Sequence, residues 1–485
     1  MNVAVRILDW PADPSDALPG ALWDADAAAQ AMGGTASTSF QAAGAEIDSR
    51  DVAEGDLFFA MKGEAMDGHR FVDAAFAKGA AAVVVERPVD GPHILVDDTF
   101  RALELLGKAA RDRSEAVVIG VTGSVGKTGV KEALFEALDR SSRGAAHRSV
   151  KSYNNHVGVP LSLARMPARA KFGIFEMGMN HAGEIAALTR QVRPHVAVVT
   201  TIAPAHIEML GSEEAIADAK GEIFEGLEAG GIAIIPADSP HFERLRAKAL
   251  RHAGSAISFG RAAHADVRLL DAVPAANGGS LVTADMGDRR LCYTVAAPGD
   301  HWVINSLAVM AAVRAAGGDL GAAGIALAEL EGLAGRGARV EIPAEGGDAL
   351  LIDESYNANP ASMRATLAQL GTTPARRRIA VLGAMKELGT HAPGFHAALA
   401  GPLIDAGVDY AVLVGDEMGA LADELGKSGD PALGKRPRFA HCASVKDARN
   451  ALRQFGLERG DAVLVKGSNS VGLGALVASL ANREG

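Results

Sequence analysis

The segment Thr122-Gly123-Ser124-Val125-Gly126-Lys127-Thr128 carries the clearest chemistry in the chain. It follows an apolar run at 117–121 and leads into a helical pattern starting near Lys127. A strand, a glycine-rich turn and a helix N-terminus cradle phosphate, because backbone N–H groups and the helix dipole face the anion. Lys127 has the reach for terminal phosphates, and the Thr128 hydroxyl suits Mg²⁺. The strict GxxxxGK[ST] spacing requires glycine at 121, where this chain has Val121, so the motif is a shorter TGxxGKT form. The plainer alternative is a glycine-rich turn with an exposed lysine.

Other reactive side chains recur at strand ends. Glu176 closes an apolar run at 172–176, and an acid at the carboxyl edge of a parallel strand beside a phosphate loop is a common Mg²⁺ ligand. His206 follows the run 196–201. Ligands of open α/β sheets bind at such carboxyl ends. Taken alone, Glu176 reads more readily as a surface acid and His206 as a packed or solvent-facing residue, and their coincidence at strand ends is what raises each. Lys220 is less ordinary. In the helical pattern 212–227 it lies four residues after Ile216 and three before Ile223, on the apolar stripe. A buried lysine is unfavourable unless paired or modified, although its stem can snorkel to the surface. Asn305, one turn into a helix, has the groups to meet a nucleotide base, or to serve as a polar residue of a helix start. The polar run Asp353-Glu354-Ser355-Tyr356-Asn357-Ala358-Asn359-Pro360 follows another strand, with an ordinary turn as the alternative. Gly383–Gly389 and Lys466–Ser470 repeat the strand-then-loop pattern, and Gly472-Leu473-Gly474 fails to complete GxGxxG because position 477 is Val.

The elements that must position these groups read as α/β, with short β-rich runs alternating with longer helical patterns. Strands are expected at 57–61, 81–86, 93–97, 117–121, 172–176, 196–201, 232–235, 349–353, 378–382, 411–414 and 462–465, and helices at 99–112, 212–227 and 302–316. The stretch 255–295 reads as β-rich and irregular, and the glycine-rich stretch 332–347 as a separator. A chain of 485 residues suits about three domains. Its net charge of −11 disfavours sequence-independent nucleic-acid binding. Two cysteines, Cys292 and Cys442, without a CxxC pair imply neither a disulfide framework nor a zinc knuckle. The start Met1-Asn2-Val3-Ala4-Val5-Arg6 has no signal-peptide pattern, and no apolar run approaches the ~20 residues of a membrane span. A cytoplasmic protein without membrane insertion is expected, and nothing demands more than a monomer.

Together these residues resemble the Mur ligases of peptidoglycan synthesis, over nearly the whole chain. Asp48-Ser49-Arg50, Gly55–Ala60 and Asp67-Gly68-His69-Arg70-Phe71 resemble that family's uridine-nucleotide domain, and Asn154-Asn155 with Gly158-Val159-Pro160-Leu161 resembles its muramoyl-peptide loop. The run 353–360 is similar to that of members joining D-alanyl-D-alanine to UDP-N-acetylmuramoyl-tripeptide, through an acyl phosphate with ATP and Mg²⁺. The resemblance implies three domains: an N-terminal α/β uridine-nucleotide domain (1–113), a central P-loop ATPase-like parallel or mixed sheet (114–333) and a C-terminal Rossmann-like domain (334–485). It implies ATP contacts at Gly123, Ser124, Val125, Gly126, Lys127, Thr128, Gly129, Asn305, Arg336 and Asp353. The resemblance likewise implies metal ligands at Thr128, Glu176, His206 and Lys220, the last as a carbamate, with Lys127, Lys220 and His206 in the chemistry. Substrate contacts fall at Ser49, Arg50, Asp67, His69, Asn154, Asn155, Asn357 and Asn359. The chain departs from the usual pattern at His156, Pro236, Trp302, Ala384 and Asn469. Alternatives are a sister ligase adding one amino acid, a folylpolyglutamate-type synthetase, and a P-loop ATPase that works as a switch.

Overall fold

A computed structural model describes residues 20–63, 66–275, 278–427 and 436–481. The leading stretch read for a signal peptide lies outside them. Three large sheets follow one another along the chain. The first has five strands in the order Thr35–Ala36, His93–Leu95, Ala82–Val85, Asp56–Phe59 and Gly44–Glu46. The helix Thr99–Asp112 starts where Asp98 accepts hydrogen bonds from the Phe100 and Arg101 N–H groups, satisfying donors that helix geometry orphans. Its apolar stripe packs with Leu161 and Ala164 of the short helix Gly158–Ala164, tying the first sheet to the second.

The second sheet has nine strands. Val117–Thr122 lies between Phe172–Glu176 and Val196–Val199, parallel to both. Both faces are covered, so the strand is apolar at nearly every position. Ile119 and Val121 enter one core with Val130 and Leu134 of the helix Lys127–Ser142; Val118 enters the other with Phe175 and Ala197. The two-residue period of a strand makes this division. The arrangement brings the carboxyl ends of three neighbouring strands together, which is where the phosphate loop, Glu176 and the 200–206 segment begin. The third sheet runs in the order Ala338–Ala344, Gly347–Glu354, Ala462–Lys466, Arg378–Gly383, Tyr410–Val414 and Arg438–Cys442, parallel except for its first pair. Among the described residues no helix is long and apolar enough to cross a membrane.

Three expectations change. The helix expected over 212–227 is an α-helix at Glu213–Gly221 followed by a 3₁₀ turn at Glu222–Gly226. A Cβ at Gly226 would lie 2.2 Å from the Thr189 carbonyl oxygen, so the chain tightens there into close backbone contact. The stretch 255–295 is regular: Val267–Pro274, Ser280–Asp285 and Arg290–Val295 pair antiparallel, with one register shift between Leu269 and Asp271. The glycine-rich 332–347 is only partly a separator, since Ala338–Ala344 within it forms a hairpin with Gly347–Glu354.

One buried group gives the fold a pH signature. The His147 Nε2–H donates to the Ser162 carbonyl at 2.7 Å, and burial pushes the imidazole down from 6.5 to about 4. The native ring stays neutral below pH 6.5, where the unfolded ring is protonated. Stability is therefore full above pH 6.5 and falls as pH drops toward 4, by up to about 3 kcal/mol. Urea midpoints measured across this window should fall less for His147→Gln than for the parent protein; equal falls would contradict the assignment.

Candidate nucleotide-binding cleft

The phosphate loop is shaped by the strand beside it. Gly123 has φ 147°, and a Cβ there would meet Thr200 Oγ1 at 2.0 Å. Thr200 Oγ1 donates to the Val125 carbonyl at 2.6 Å, and Ser124 Oγ exchanges hydrogen bonds with both backbone groups of Ala203. Gly126, at φ 86°, caps the helix Lys127–Ser142 without any side-chain acceptor, so the first-turn N–H groups remain available to an anion. Position 121 still belongs to the strand and is fully buried, which is why valine stands there.

Lys127 folds back on the loop, its Nζ donating to the Gly123 carbonyl at 2.7 Å. Burial lowers its ammonium pKa; Glu176 opposes this and Arg336 adds to it. Thr128 Oγ1 donates to Glu176 Oε2 at 2.8 Å, and Asn154 Nδ2 donates to Glu176 Oε1 at 2.8 Å. A fully buried carboxylate thus faces the loop with both oxygens oriented. Lys220 is also fully buried, and among the described residues its Nζ has no hydrogen-bond partner. Desolvation pushes its pKa well below the usual lysine value, the charge of Lys127 lowers it further, and Glu222 counteracts. Glu222 is itself engaged by the N–H groups of Gly183 and Ala186. The apolar stripe thus buries Lys220 without supplying a partner.

A cleft of roughly 340 Å³ joins the second and third sheets here. It is lined by Ser124 to Lys127, Gly129, Asn154, Asn155, Glu176, His206, Asn305, Arg336, Asn357 and Asn359 among others. Asn305 lies against Gly126, where an added Cβ would sit 2.9 Å from its Nδ2; Trp302 lies against Gly129 in the same way at 2.8 Å. Arg336 stacks over Tyr356 at 4.1 Å and donates to Ser152 Oγ at 3.3 Å. Asn359 Nδ2 reaches the Ser124 carbonyl at 3.5 Å while its Oδ1 caps the helix Pro360–Thr372. His206, at φ 61°, has its Nδ1 2.5 Å from Glu387 Oε2, and this pairing holds the Glu387 carboxyl below its usual range.

Several residues singled out from sequence have local partners instead. Asp353 has both oxygens engaged, Oδ1 accepting from Ser355 two residues on and Oδ2 from the N–H of Gly335 in the preceding glycine-rich stretch. Asn155 lines the cleft, but its Oδ1 accepts from the N–H groups of Val157 and Gly158 at a helix start. Ser49, Arg50, Asp67 and His69 do not line the cleft. Arg50 pairs with Asp48 at 2.6 Å and holds that carboxyl down to about 2. His69 uses both ring nitrogens, Nδ1 beside Asp67 at 2.7 Å and Nε2 accepting from Glu86 N at 3.0 Å, so it fastens a turn. Among the described residues no three of His, Cys, Asp and Glu converge as a metal cluster. Tyr356 and Glu387 are legible only as members of the polar loops 353–360 and 383–389, and Ser152, after the short strand Ala146–Arg148, carries no sequence signal.

Known proteins share this architecture. Three family profiles match: "Mur ligase family, catalytic domain" at residues 42–113, "Mur ligase middle domain" at 121–313 and "Mur ligase, glutamate ligase domain" at 338–469. The chain is 35% identical to a UDP-N-acetylmuramoyl-tripeptide–D-alanyl-D-alanine ligase of Synechocystis over 89% of this chain and 90% of that one. It is 33% identical to the Bacillus subtilis ligase of the same name, over 90% and 93%. Crystal structures of MurF from Acinetobacter baumannii (TM-score 0.79, 29% identity, 94% of this chain and 98% of that) and of MurF ligase from Thermotoga maritima in complex with ADP (0.71, 27%, 90% and 96%) superpose on it.

Proposed function

Because this chain belongs to the Mur ligase family, we propose that its cleft joins D-alanyl-D-alanine to UDP-N-acetylmuramoyl-tripeptide at the expense of ATP. The chain is an ATP-using peptide ligase, and its substrates are the muramoyl tripeptide and the dipeptide. The observation that carries the mechanism is one cleft lined by the phosphate loop, by Glu176, which Thr128 contacts, and by Glu354, Tyr356, Asn357 and Asn359. We divide the chain for this purpose into 1–113 for the uridine nucleotide, 114–333 for ATP and 334–485 to complete the ligase site. Dependence on ATP fits a cytoplasmic enzyme, and every residue invoked comes from a single chain.

The loop N–H groups and Lys127 hold the phosphates, with Lys127 exchanging its Gly123 carbonyl contact for the γ-phosphoryl oxygens. The terminal carboxylate of the tripeptide attacks that phosphoryl group, giving an acyl phosphate and ADP. The dipeptide amine then displaces phosphate, forming the amide and losing a proton. Arg336, held by Tyr356, faces the same space and offsets negative charge. Closure of the cleft keeps water from the acyl phosphate. A divalent cation such as Mg²⁺ would neutralise phosphate charge here. The residues present fit it: Thr128 Oγ1 and Glu176 Oε2 are adjacent hard oxygens, and the partnerless Lys220 amine can become a carboxylate donor by taking up CO₂. His206, which lines the same cleft with its Nδ1 beside Glu387, would be the remaining ligand of that set.

Phosphate release tests the reading. With ATP, Mg²⁺ and the muramoyl tripeptide, release should begin only when D-alanyl-D-alanine is added. Release without the dipeptide would support an ATPase switch, and release driven by a single amino acid a sister ligase.

A further inference from the structure

A short segment, residues 149–155, meets all three parts of the chain. Ser149 Oγ accepts from the Glu176 N–H at 3.0 Å, and Asn154 Nδ2 reaches the Glu176 carboxylate at 2.8 Å. Lys151 Nζ pairs with Asp51 of the first part at 2.6 Å, and Ser152 Oγ accepts from Arg336 of the third at 3.3 Å. The segment is therefore a strap across the cleft. Its backbone is not relaxed, because Lys151 holds φ 49°, which few non-glycine residues adopt without outside support.

That support comes from Lys131. It lies one turn beyond Lys127 on the phosphate-loop helix and is fully buried. Its Nζ donates to the Lys151 carbonyl at 2.5 Å and more weakly to the Ser149 carbonyl at 3.4 Å, with Glu132 Oε1 at 2.9 Å. An ammonium in such a place is unfavourable unless its donors are used, and an apolar residue of the same volume would pack there without that demand. The donors are used on the carbonyls of the strap.

We propose that Lys131 is a positioning residue that couples the nucleotide end of the site to the muramoyl-peptide end. By fastening the strap to the phosphate-loop helix, it holds Asn154 against Glu176, Ser152 against Arg336 and Lys151 against Asp51. The phosphates and the peptide carboxylate are thereby set in one frame, although Lys131 faces neither. This rests on the ligase reading above.

The test is Lys131→Met, which keeps the volume and removes the donors. ADP affinity is measured by calorimetry, and kcat and KM for UDP-N-acetylmuramoyl-tripeptide by phosphate release. Misplacement of a reacting group should raise that KM or lower kcat by about tenfold or more, with the ADP Kd held within about threefold. A merely structural role would weaken ADP binding in step with melting temperature. Lys151→Ala, at an exposed pair, guards against misfolding of the first variant: it should raise the same KM and leave ADP affinity alone. Unchanged kinetics in both variants, or parallel loss of ADP binding, would overturn the proposal. A parent protein that releases no phosphate with all substrates present would sink the ligase reading; an active parent with indifferent variants sinks only the strap.

Discussion

Lys127→Ala should lower turnover by on the order of 10²–10⁴, about 3–5 kcal/mol of transition-state stabilisation. The expectation follows from where the ammonium stands. Its Nζ is 2.7 Å from the Gly123 carbonyl, at the mouth of a loop whose N–H groups face the cleft. Burial lowers its pKa and Arg336 adds like-charge repulsion, which Glu176 opposes. A bound triphosphate reverses that balance, and the gain grows as charge moves onto the leaving oxygen. The loss should therefore appear chiefly in kcat. Steady-state phosphate release with saturating muramoyl tripeptide and D-alanyl-D-alanine measures it. Near-normal turnover would remove Lys127 from the mechanism, while a change confined to the KM for ATP would make it a ground-state contact only.

How much of this was legible beforehand depends on how locally each feature is written. The strand 117–121, its loop and the helix after it are contiguous, so apolar run, glycines and lysine announce one another. The helix Thr99–Asp112 was readable for the same reason: Asp98 caps it and its apolar residues recur at helical spacing. Lys220 was legible as an anomaly because an apolar stripe predicts burial without naming a partner, and the structure supplies none. The strand Ala338–Ala344 was not legible, since it is largely solvent-exposed and glycines surround it; only its pairing with Gly347–Glu354 makes it a strand. The pair His206–Glu387 and the bonds of Lys131 join segments far apart or turn on backbone carbonyls, which no side-chain pattern records. Asp353 and His69 show a further layer that residue type does not record: Asp353 accepts from the Gly335 N–H and His69 from the Glu86 N–H, partners 18 and 17 residues away along the chain.

Lys220→Met should separate activity from stability. The Lys220 amine is fully buried, lacks a hydrogen-bond partner among the described residues and is held well below the ordinary lysine pKa by desolvation and by Lys127. In the protonated state this would be an uncompensated charge in the core, which folding opposes. As a neutral amine it is a nucleophile for CO₂, and the bond formed converts it to a carbamate while a proton is released. Lys220→Met keeps the volume and discards the polar atom. It should leave the melting temperature unchanged or raised, yet lower activity by about 10- to 100-fold, the scale on which disturbing a metal's surroundings acts. Lys220→Ala should lose activity similarly but leave space for a small carboxylate, so acetate or formate should restore part of the turnover in Ala and none in Met. Full activity of either variant would eliminate the carbamate. Loss of activity in proportion to loss of folded protein would reduce Lys220 to a packing residue, and the Thr128–Glu176 oxygens would then have to hold the cation with His206 alone.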